Sequence, residues 1–183
     1  MRSPKGFWAA LILLSAIPIT ALYRTFFAQG AETLIHAALT LAFALLSFAV
    51  FDFRTARWMN QIAFLATSAL AAIFFLQGVS ERVQNDSLTY FAYQMLGQRL
   101  ESWLVYVFLL WCVALLLFDS RGKTRVLGLI ALFAAIGLQI YARVLSYHGT
   151  SLDARSPTLK VLYLLPFVWL LFECKKKVES LPA

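Results

Sequence analysis

The stretch of sequence that decides the fold is residues 58–80, WMNQIAFLATSALAAIFFLQGVS, which contains no Asp, Glu, Lys or Arg. A transmembrane helix needs about 20 mostly apolar residues, with a workable range of roughly 17–25. Arg57 precedes this stretch and Glu81 and Arg82 follow it, so charged residues stand at both of its ends. The stretch therefore predicts a helix that crosses a lipid bilayer.

Similar stretches lie on both sides of it along the chain. Four more runs without charged residues have the length of a span, and they are 6–23, 33–51, 102–118 and 126–142. A shorter run, 161–172, reaches that length if its helix begins at Ser156 and Pro157, a favourable cap and first position. Pro166 should then kink this last helix. The sequence thus predicts an all-α polytopic membrane protein, a bundle of six transmembrane helices with short loops.

The composition places the whole chain in the membrane class. Of its 183 residues, 61% are hydrophobic and 14% are charged, whereas soluble chains have about 45–50% and about 25%. Helices and short loops use up this length, so we expect residues 1–183 to form a single integral membrane domain. The formal net charge of +7 comes from basic residues at the ends of apolar runs. These form no continuous basic face, so we expect no nucleic-acid partner.

The distribution of Lys and Arg predicts the orientation of the chain. If six helices alternate in direction, ten of the 16 basic residues fall on the side of the two termini and six on the other side. The side whose short loops are richer in Lys and Arg is usually cytoplasmic, so both termini should lie in the cytoplasm. Short loops and Ala- and Leu-rich helices are typical of a bacterial inner (plasma) membrane, which is the localisation we expect.

The longest connection, 81–101 on the predicted outer side, carries an amphipathic pattern. Leu88, Phe91, Ala92, Met95 and Leu96 recur at the spacing of one helical face. This pattern predicts an amphipathic helix that lies on the outer membrane surface or caps the bundle. The alternative is a simple connector that buries its apolar side.

A short motif recurs at the ends of the second, fourth and sixth predicted spans. Each copy reads Phe, acid, any residue, base, and the copies are Phe51-Asp52-Phe53-Arg54, Phe118-Asp119-Ser120-Arg121 and Phe172-Glu173-Cys174-Lys175. The recurrence indicates three related helical hairpins at 1–54, 55–121 and 122–183, and such repeats often place a binding site where they meet. The alternative is that helices leaving a bilayer commonly end in an aromatic residue and charges.

Polar residues gather at the predicted outer ends of the odd-numbered spans. A polar residue lies about one turn inside an arginine in each of these spans, and two histidines map to the same rim. Intramembrane polar groups are costly and often mark functional sites. The candidate ligand-binding residues are Thr20, Arg24, Gln77, Arg82, Gln139, Arg143, His36 and His148. Converging arginines would favour an anionic solute.

Metal and catalytic motifs are missing from the sequence, which contains neither His-Glu-x-x-His nor Gly-x-Ser-x-Gly. It therefore predicts no metal site and no catalytic residue, identifies no cofactor, and leans against an enzyme. The expected partners are the lipid bilayer, a small-molecule ligand and other membrane subunits.

These features favour a multi-pass membrane protein that binds or transports a small, anionic solute through an outward-facing pocket. The first alternative is a non-catalytic subunit that assembles or stabilises a larger membrane complex, because intramembrane polar groups are few. The second alternative is an enzyme that acts on lipid headgroups through His148 and Asp153.

Overall fold

A computed structural model gives the fold of residues 2–26, 31–83, 86–149, 162 and 164–176. Every element in these ranges is helical, which confirms the all-α class. The elements are α1 (Pro4–Phe26), α2 (Ala31–Ala49), a 3₁₀ turn (Val50–Asp52), α3 (Arg57–Val83), α4 (Asp86–Tyr90), a π-helical segment (Phe91–Glu101), α5 (Ser102–Phe118), α6 (Lys123–Tyr147) and α7 (Leu165–Lys175).

Three of these helices are long and apolar enough to cross a membrane. They are α2 with its following turn (Thr33–Asp52), α3 (Arg57–Val83) and most of α6 (Lys123–Leu145). Shorter apolar stretches run over Pro4–Ala16 of α1 and Trp103–Phe118 of α5. The structure therefore supports insertion into a bilayer through three helices. The arrangement of six spans stays a prediction.

The helices pack through small residues and turn large ones outward. Ala9, Ala42 and Ala63 are fully buried at the contacts of α1, α2 and α3, where small side chains let helix backbones approach closely. In contrast, Leu65 of α3 is 65% exposed and Phe133 of α6 is 76% exposed. A soluble monomer rarely exposes such a continuous apolar surface, so this surface is suited to contact with lipid tails.

The helices pack against helices that are adjacent in the sequence and against helices that are distant in it. Helix α2 packs against both α1 and α3, α5 packs against α3, and α7 lies between α1 and α6. In this last contact, the fully buried Trp169 of α7 lies against Gly128 of α6. A Cβ atom at Gly128 would lie only 2.6 Å from the Trp169 ring, so the close approach of these two helices depends on glycine.

The connector before α5 differs from the predicted amphipathic α-helix. It is helical over Asp86–Glu101, but from Phe91 onward it is a π-helix, which passes into α5 and packs against α3. Its i→i+5 hydrogen bonds change the helical period, so the apolar face expected from α-helical spacing is broken up. Ala92 is fully buried, whereas Phe91 and Met95 are about half exposed. The segment thus packs against the bundle with the small side chain of Ala92.

The predicted kink at Pro166 stays a prediction, because most of the residues before Leu164 lie outside the described part. Pro166 lies in the first turn of α7, where backbone N–H groups have no acceptor within the helix and proline is well tolerated. The helix start predicted at Ser156 and Pro157 lies outside the described residues. The proline inside a described helix is Pro18 of α1, where the missing N–H removes one hydrogen bond of the helix.

The acids of the three recurring motifs meet at one end of the bundle, around the start of the chain. The Arg2 guanidinium forms an ion pair with Asp119, and its Nη1 lies 3.9 Å from Oε2 of the fully buried Glu173. The Ser3 hydroxyl donates a hydrogen bond of 2.6 Å to Asp52. These five residues, Arg2, Ser3, Asp52, Asp119 and Glu173, form what we call the N-terminal cluster. It ties the start of α1 to the ends of the 3₁₀ turn, α5 and α7.

Main-chain hydrogen bonds hold the same end of the bundle together. The backbone amides of Arg2 and Ser3 donate to the carbonyl oxygen of Cys174 at 3.0 and 3.2 Å. The basic residues of the three motifs are exposed, and they are Arg54, Arg121 and Lys175. The motif acids therefore contribute to packing between helices, and the motif bases lie at the surface.

Asn60, a buried amide near the start of α3, is also satisfied within the bundle. Its Oδ1 accepts hydrogen bonds from the Trp111 indole at 2.9 Å and from the Thr55 hydroxyl. Its Nδ2 donates to the carbonyl oxygen of Phe53 at 3.3 Å. Buried polar groups are stable when they are paired in this way, so Asn60 serves the contact between α3 and α5.

Candidate functional site

A polar cavity of about 550 Å³ lies at the end of the bundle opposite to the N-terminal cluster. Helices α2, α3, α5 and α6 and the π-helical segment all contribute to it. Its lining residues are His36, Phe74, Gln77, Tyr93, Gln94, Gly97, Glu101, Val105 and Gln139. Six of these nine side chains carry a polar group, so this is a place where polar side chains from several helices face one space.

One wall of the cavity is organised around the Glu81 carboxylate. Glu81 accepts a hydrogen bond from the Tyr93 hydroxyl and a long one, 3.4 Å, from Thr33. Nδ1 of His36 lies 3.2 Å from the same carboxylate. The His36 ring also lies 5.9 Å from the Tyr93 ring and 6.4 Å from the Phe74 ring, measured between centroids. Glu81 thereby joins α2, α3 and the π-helical segment and orients His36.

The floor of the cavity is built around Gln77, which is almost fully buried. Its Nε2 lies 3.5 Å from the carbonyl oxygen of Ala92, and its side chain also hydrogen-bonds the Glu101 carboxyl. Gly97 makes this approach possible, because a Cβ atom at Gly97 would lie 2.9 Å from Gln77 Nε2. The π-helical segment is therefore positioned by a glycine and by one buried amide. Stretches of π-helix often occur at functional sites.

Glu101 is the acidic residue in the described lining. Burial raises the pKa of Glu101 above its ordinary value, and the hydrogen bond from Gln77 and the charge of His36 oppose this rise in part. Among the residues that the structure describes, no Lys or Arg lines the cavity. Within the described lining, the Glu101 carboxyl thus faces this space with no Lys or Arg side chain beside it.

The raised pKa of Glu101 should make the stability of the protein depend on pH. Because the folded-state pKa is above the ordinary value of 4.5, the folded protein binds the proton more tightly than the unfolded chain. The contribution of Glu101 to stability is then fully present below pH 4.5 and is lost as the pH rises through the folded-state pKa. We expect Glu101→Gln, which keeps the shape but cannot ionise, to unfold at a higher temperature than the wild type at mildly alkaline pH.

Thermal unfolding in detergent at acidic and at mildly alkaline pH measures this effect. The advantage of Glu101→Gln should shrink towards zero at the acidic pH, where the wild-type carboxyl is protonated. An advantage of the same size at both pH values would mean that ionisation of Glu101 is not its cause.

The cavity brings together three of the eight predicted site residues. His36 and Gln77 line it from α2 and α3, and Gln139 lines it from α6. These three residues lie on separate helices and far apart in the sequence. Gln77 and Gln139 were selected because each lies about one turn inside an arginine, and His36 because it maps to the same rim. The polar residues one turn inside the helix ends therefore do converge in the cases of Gln77 and Gln139.

The other predicted site residues lie elsewhere or outside the described part. Arg82 is exposed at the end of α3, and Arg143 is exposed on α6 with its Nε 3.3 Å from the Tyr106 hydroxyl. His148 is exposed beyond the end of α6 beside the Tyr147 ring. The remaining positions are Thr20 and Arg24, which lie on α1 with side chains outside the description, and Asp153, whose segment is also outside it.

Sequence reasoning missed the contribution of the connector. Tyr93, Gly97 and Glu101 line the cavity and recur at every fourth residue. This spacing marks one face of a helix that is polar or small, opposite to the apolar face on which the prediction rested. A search for the polar face of the same segment would have found them.

Metal binding is not indicated by the described residues, in which no three His, Cys, Asp or Glu side chains are grouped so that they could hold a metal ion. Comparison of the chain with protein-family models, with characterised proteins and with solved structures finds no match.

Proposed function

We propose that this protein is a six-span membrane protein that binds a small polar solute in the cavity beside Gln77 and Glu101 and passes it across the membrane. In this proposal both termini lie in the cytoplasm of a bacterial cell and the cavity opens outward. The observation that carries it is the convergence of polar side chains from α2, α3, α6 and the π-helical segment on one space. Ligand cavities typically measure about 300–1,000 Å³, and this one, at about 550 Å³, lies within that range.

The cost of these polar groups supports a role in binding. Polar side chains buried in a membrane protein are expensive unless they are paired or used. Asn60 is paired within the bundle, whereas the buried Gln77, the half-buried Gln139 and the exposed Gln94 line the cavity. Amide side chains can donate and accept hydrogen bonds at once, so they suit a solute that carries hydroxyl or carbonyl groups.

The anionic preference expected from three arginines is not part of this proposal. Arg82 and Arg143 are exposed at the surface, and Arg143 is engaged with Tyr106. The described lining contains a carboxyl group, which would repel an anion.

Native mass spectrometry of the protein, extracted gently from its own membrane, tests the proposal. We expect the wild type to carry a small molecule of defined mass, and the double variant Gln77→Leu, Gln139→Leu to lose it because the hydrogen-bonding amides are gone. Gln61→Leu is the matched control, since Gln61 is an exposed amide on α3 away from the cavity. Retention of the molecule in the double variant, or a bare wild type, would contradict binding in this cavity.

A non-catalytic subunit of a larger membrane complex is the second candidate. It is favoured by an apolar groove of about 390 Å³ between α3 and α5, lined by residues such as Trp58, Ile62 and Leu110. A groove of this kind can receive side chains of a partner helix as well as lipid tails. Stoichiometric protein partners, and no small molecule, in the same mass spectra would support this function in place of solute binding.

A further inference from the structure

Among the residues that the structure describes, the charges around the polar cavity are negative on balance. Two carboxylates, Glu81 and Glu101, stand against one ionisable base, His36. His36 Nδ1 lies at the Glu81 carboxylate, so the charge of a protonated His36 is directed mainly to Glu81. Glu101 has a hydrogen bond from the neutral Gln77 amide as its nearest support. A positive charge inside the cavity would therefore be stabilised, and a negative charge would be opposed by both carboxylates.

The apolar part of the lining consists of Val105 and two aromatic rings, Phe74 and Tyr93. The Phe74 ring stacks on both His36 and Phe43, whereas the Tyr93 ring meets His36 at 77°. The π-face of an aromatic ring attracts a cation, and the effect grows when water is excluded. A quaternary or substituted ammonium group is recognised in this way because its positive charge is spread over an apolar body.

An inorganic cation fits this lining less well. Calcium and magnesium need about six oxygen ligands arranged closely around the ion, and the described residues contain no metal-binding group of three. Aromatic rings supply no oxygen ligands. The combination of one carboxyl, aromatic rings and amides therefore suits an organic cation with a polar substituent.

We propose that the solute is a small organic monocation, a quaternary or protonated amine, whose charge lies against Glu101 and whose body lies against Phe74 and Tyr93. Hydroxyl or carbonyl groups on the same molecule bond to Gln77, Gln94 and Gln139. This inference rests on the proposed function, because it assigns the chemical class of the solute to the same cavity.

The test compares three probes of the same shape and different charge. They are choline, which is cationic, 3,3-dimethyl-1-butanol, in which a carbon replaces the nitrogen, and 3,3-dimethylbutyrate, which is anionic. Thermal unfolding of the full-length protein in lipid nanodiscs, followed by tryptophan fluorescence, reports binding of each probe. We expect choline to raise the unfolding temperature at a concentration at least about tenfold lower than the neutral alcohol requires, since it gains both the charge and the cation–π attraction.

Glu101→Gln should remove this preference for the cation. Because this variant is expected to be the more stable protein at mildly alkaline pH, loss of the choline effect there cannot be a result of unfolding. Asp86→Asn is the matched control, since Asp86 is an exposed carboxylate at the same end of the bundle. It should respond to choline as the wild type does.

Each outcome decides between the two proposals. A choline response that depends on Glu101 supports the cation. The alcohol or the anion could instead bind with equal or higher affinity, and the double variant Gln77→Leu, Gln139→Leu could lose this binding. That result would overturn the proposal of a cationic solute and retain the proposal of binding in the cavity. A choline response unchanged in Glu101→Gln also overturns the cation. If no probe acts, the charge of the molecule found by mass spectrometry decides the class, and a bare wild type overturns both proposals.

Discussion

Replacement of Arg2 by Met should lower the free energy of unfolding by about 3–5 kcal/mol, the usual cost of removing one partner of a buried ion pair. Arg2 pairs with Asp119 and lies 3.9 Å from Glu173, and the side chains of these two acids are 8% and 0% exposed. Without Arg2, both carboxylates lose the positive charge that precedes α1. The Glu173 carboxylate would then depend on Lys176, whose Nζ lies 3.1 Å away. Unfolding by SDS in mixed micelles measures the change.

Two further variants separate the ion pair from other effects of removing a positive charge. Lys5→Met removes one charge at the same end of the chain, and Lys5 is exposed, so it should cost less than about 1 kcal/mol. Adding Glu173→Gln to Arg2→Met should restore part of the lost stability, because a neutral amide replaces an unpaired buried carboxylate. If Arg2→Met and Lys5→Met are equally stable, the N-terminal cluster does not hold this end of the bundle.

Gly128→Ala should be the second most harmful substitution, with a loss of about 1–3 kcal/mol from overpacking. The new Cβ atom would lie 2.6 Å from the Trp169 ring and 2.7 Å from the Leu116 side chain. Trp169 is fully buried, so its ring cannot move aside without shifting α7 away from α6. The same SDS titration gives the free energy of unfolding.

Gly137→Ala is the matched control on the same helix. A Cβ atom at Gly137 meets nothing within 4 Å, and alanine is the better helix former by about 0.5–1 kcal/mol in water. We expect Gly137→Ala to be as stable as the wild type or slightly more stable. Equal losses in both variants would show that helix propensity, and not the contact with Trp169, sets the cost at Gly128.

The helices could be predicted from the sequence because their signal is local. The predicted span 102–118 coincides with α5, and the span 58–80 lies inside α3. Long apolar runs with charges at both ends carry this information by themselves. For the same reason, the start of α7 was harder to predict, since its run is short and contains Pro166.

The π-helical segment could not be predicted in the same way. Its sequence indicates a helix, but an α-helix and a π-helix differ only in which carbonyl accepts each N–H. That choice goes together here with contacts outside the segment: Gln77 reaches the Ala92 carbonyl, and Gly97 leaves room for the Gln77 side chain. Glu101 enters the cavity lining as a result, on the polar face that it shares with Tyr93 and Gly97.

The sequence by itself determined that this chain is a set of apolar helices suited to a bilayer, because backbone polar groups in hydrocarbon must be satisfied within each helix. Only the tertiary structure decided which polar groups meet. The three motif acids were interpreted as signs of a repeat, and they gather around Arg2 and Ser3 at one end. Gln77, Gln139 and Glu101 share a cavity at the other end. The physical reason is that such meetings depend on the rotation and register of neighbouring helices, which are set by close contacts such as that of Gly128 with Trp169.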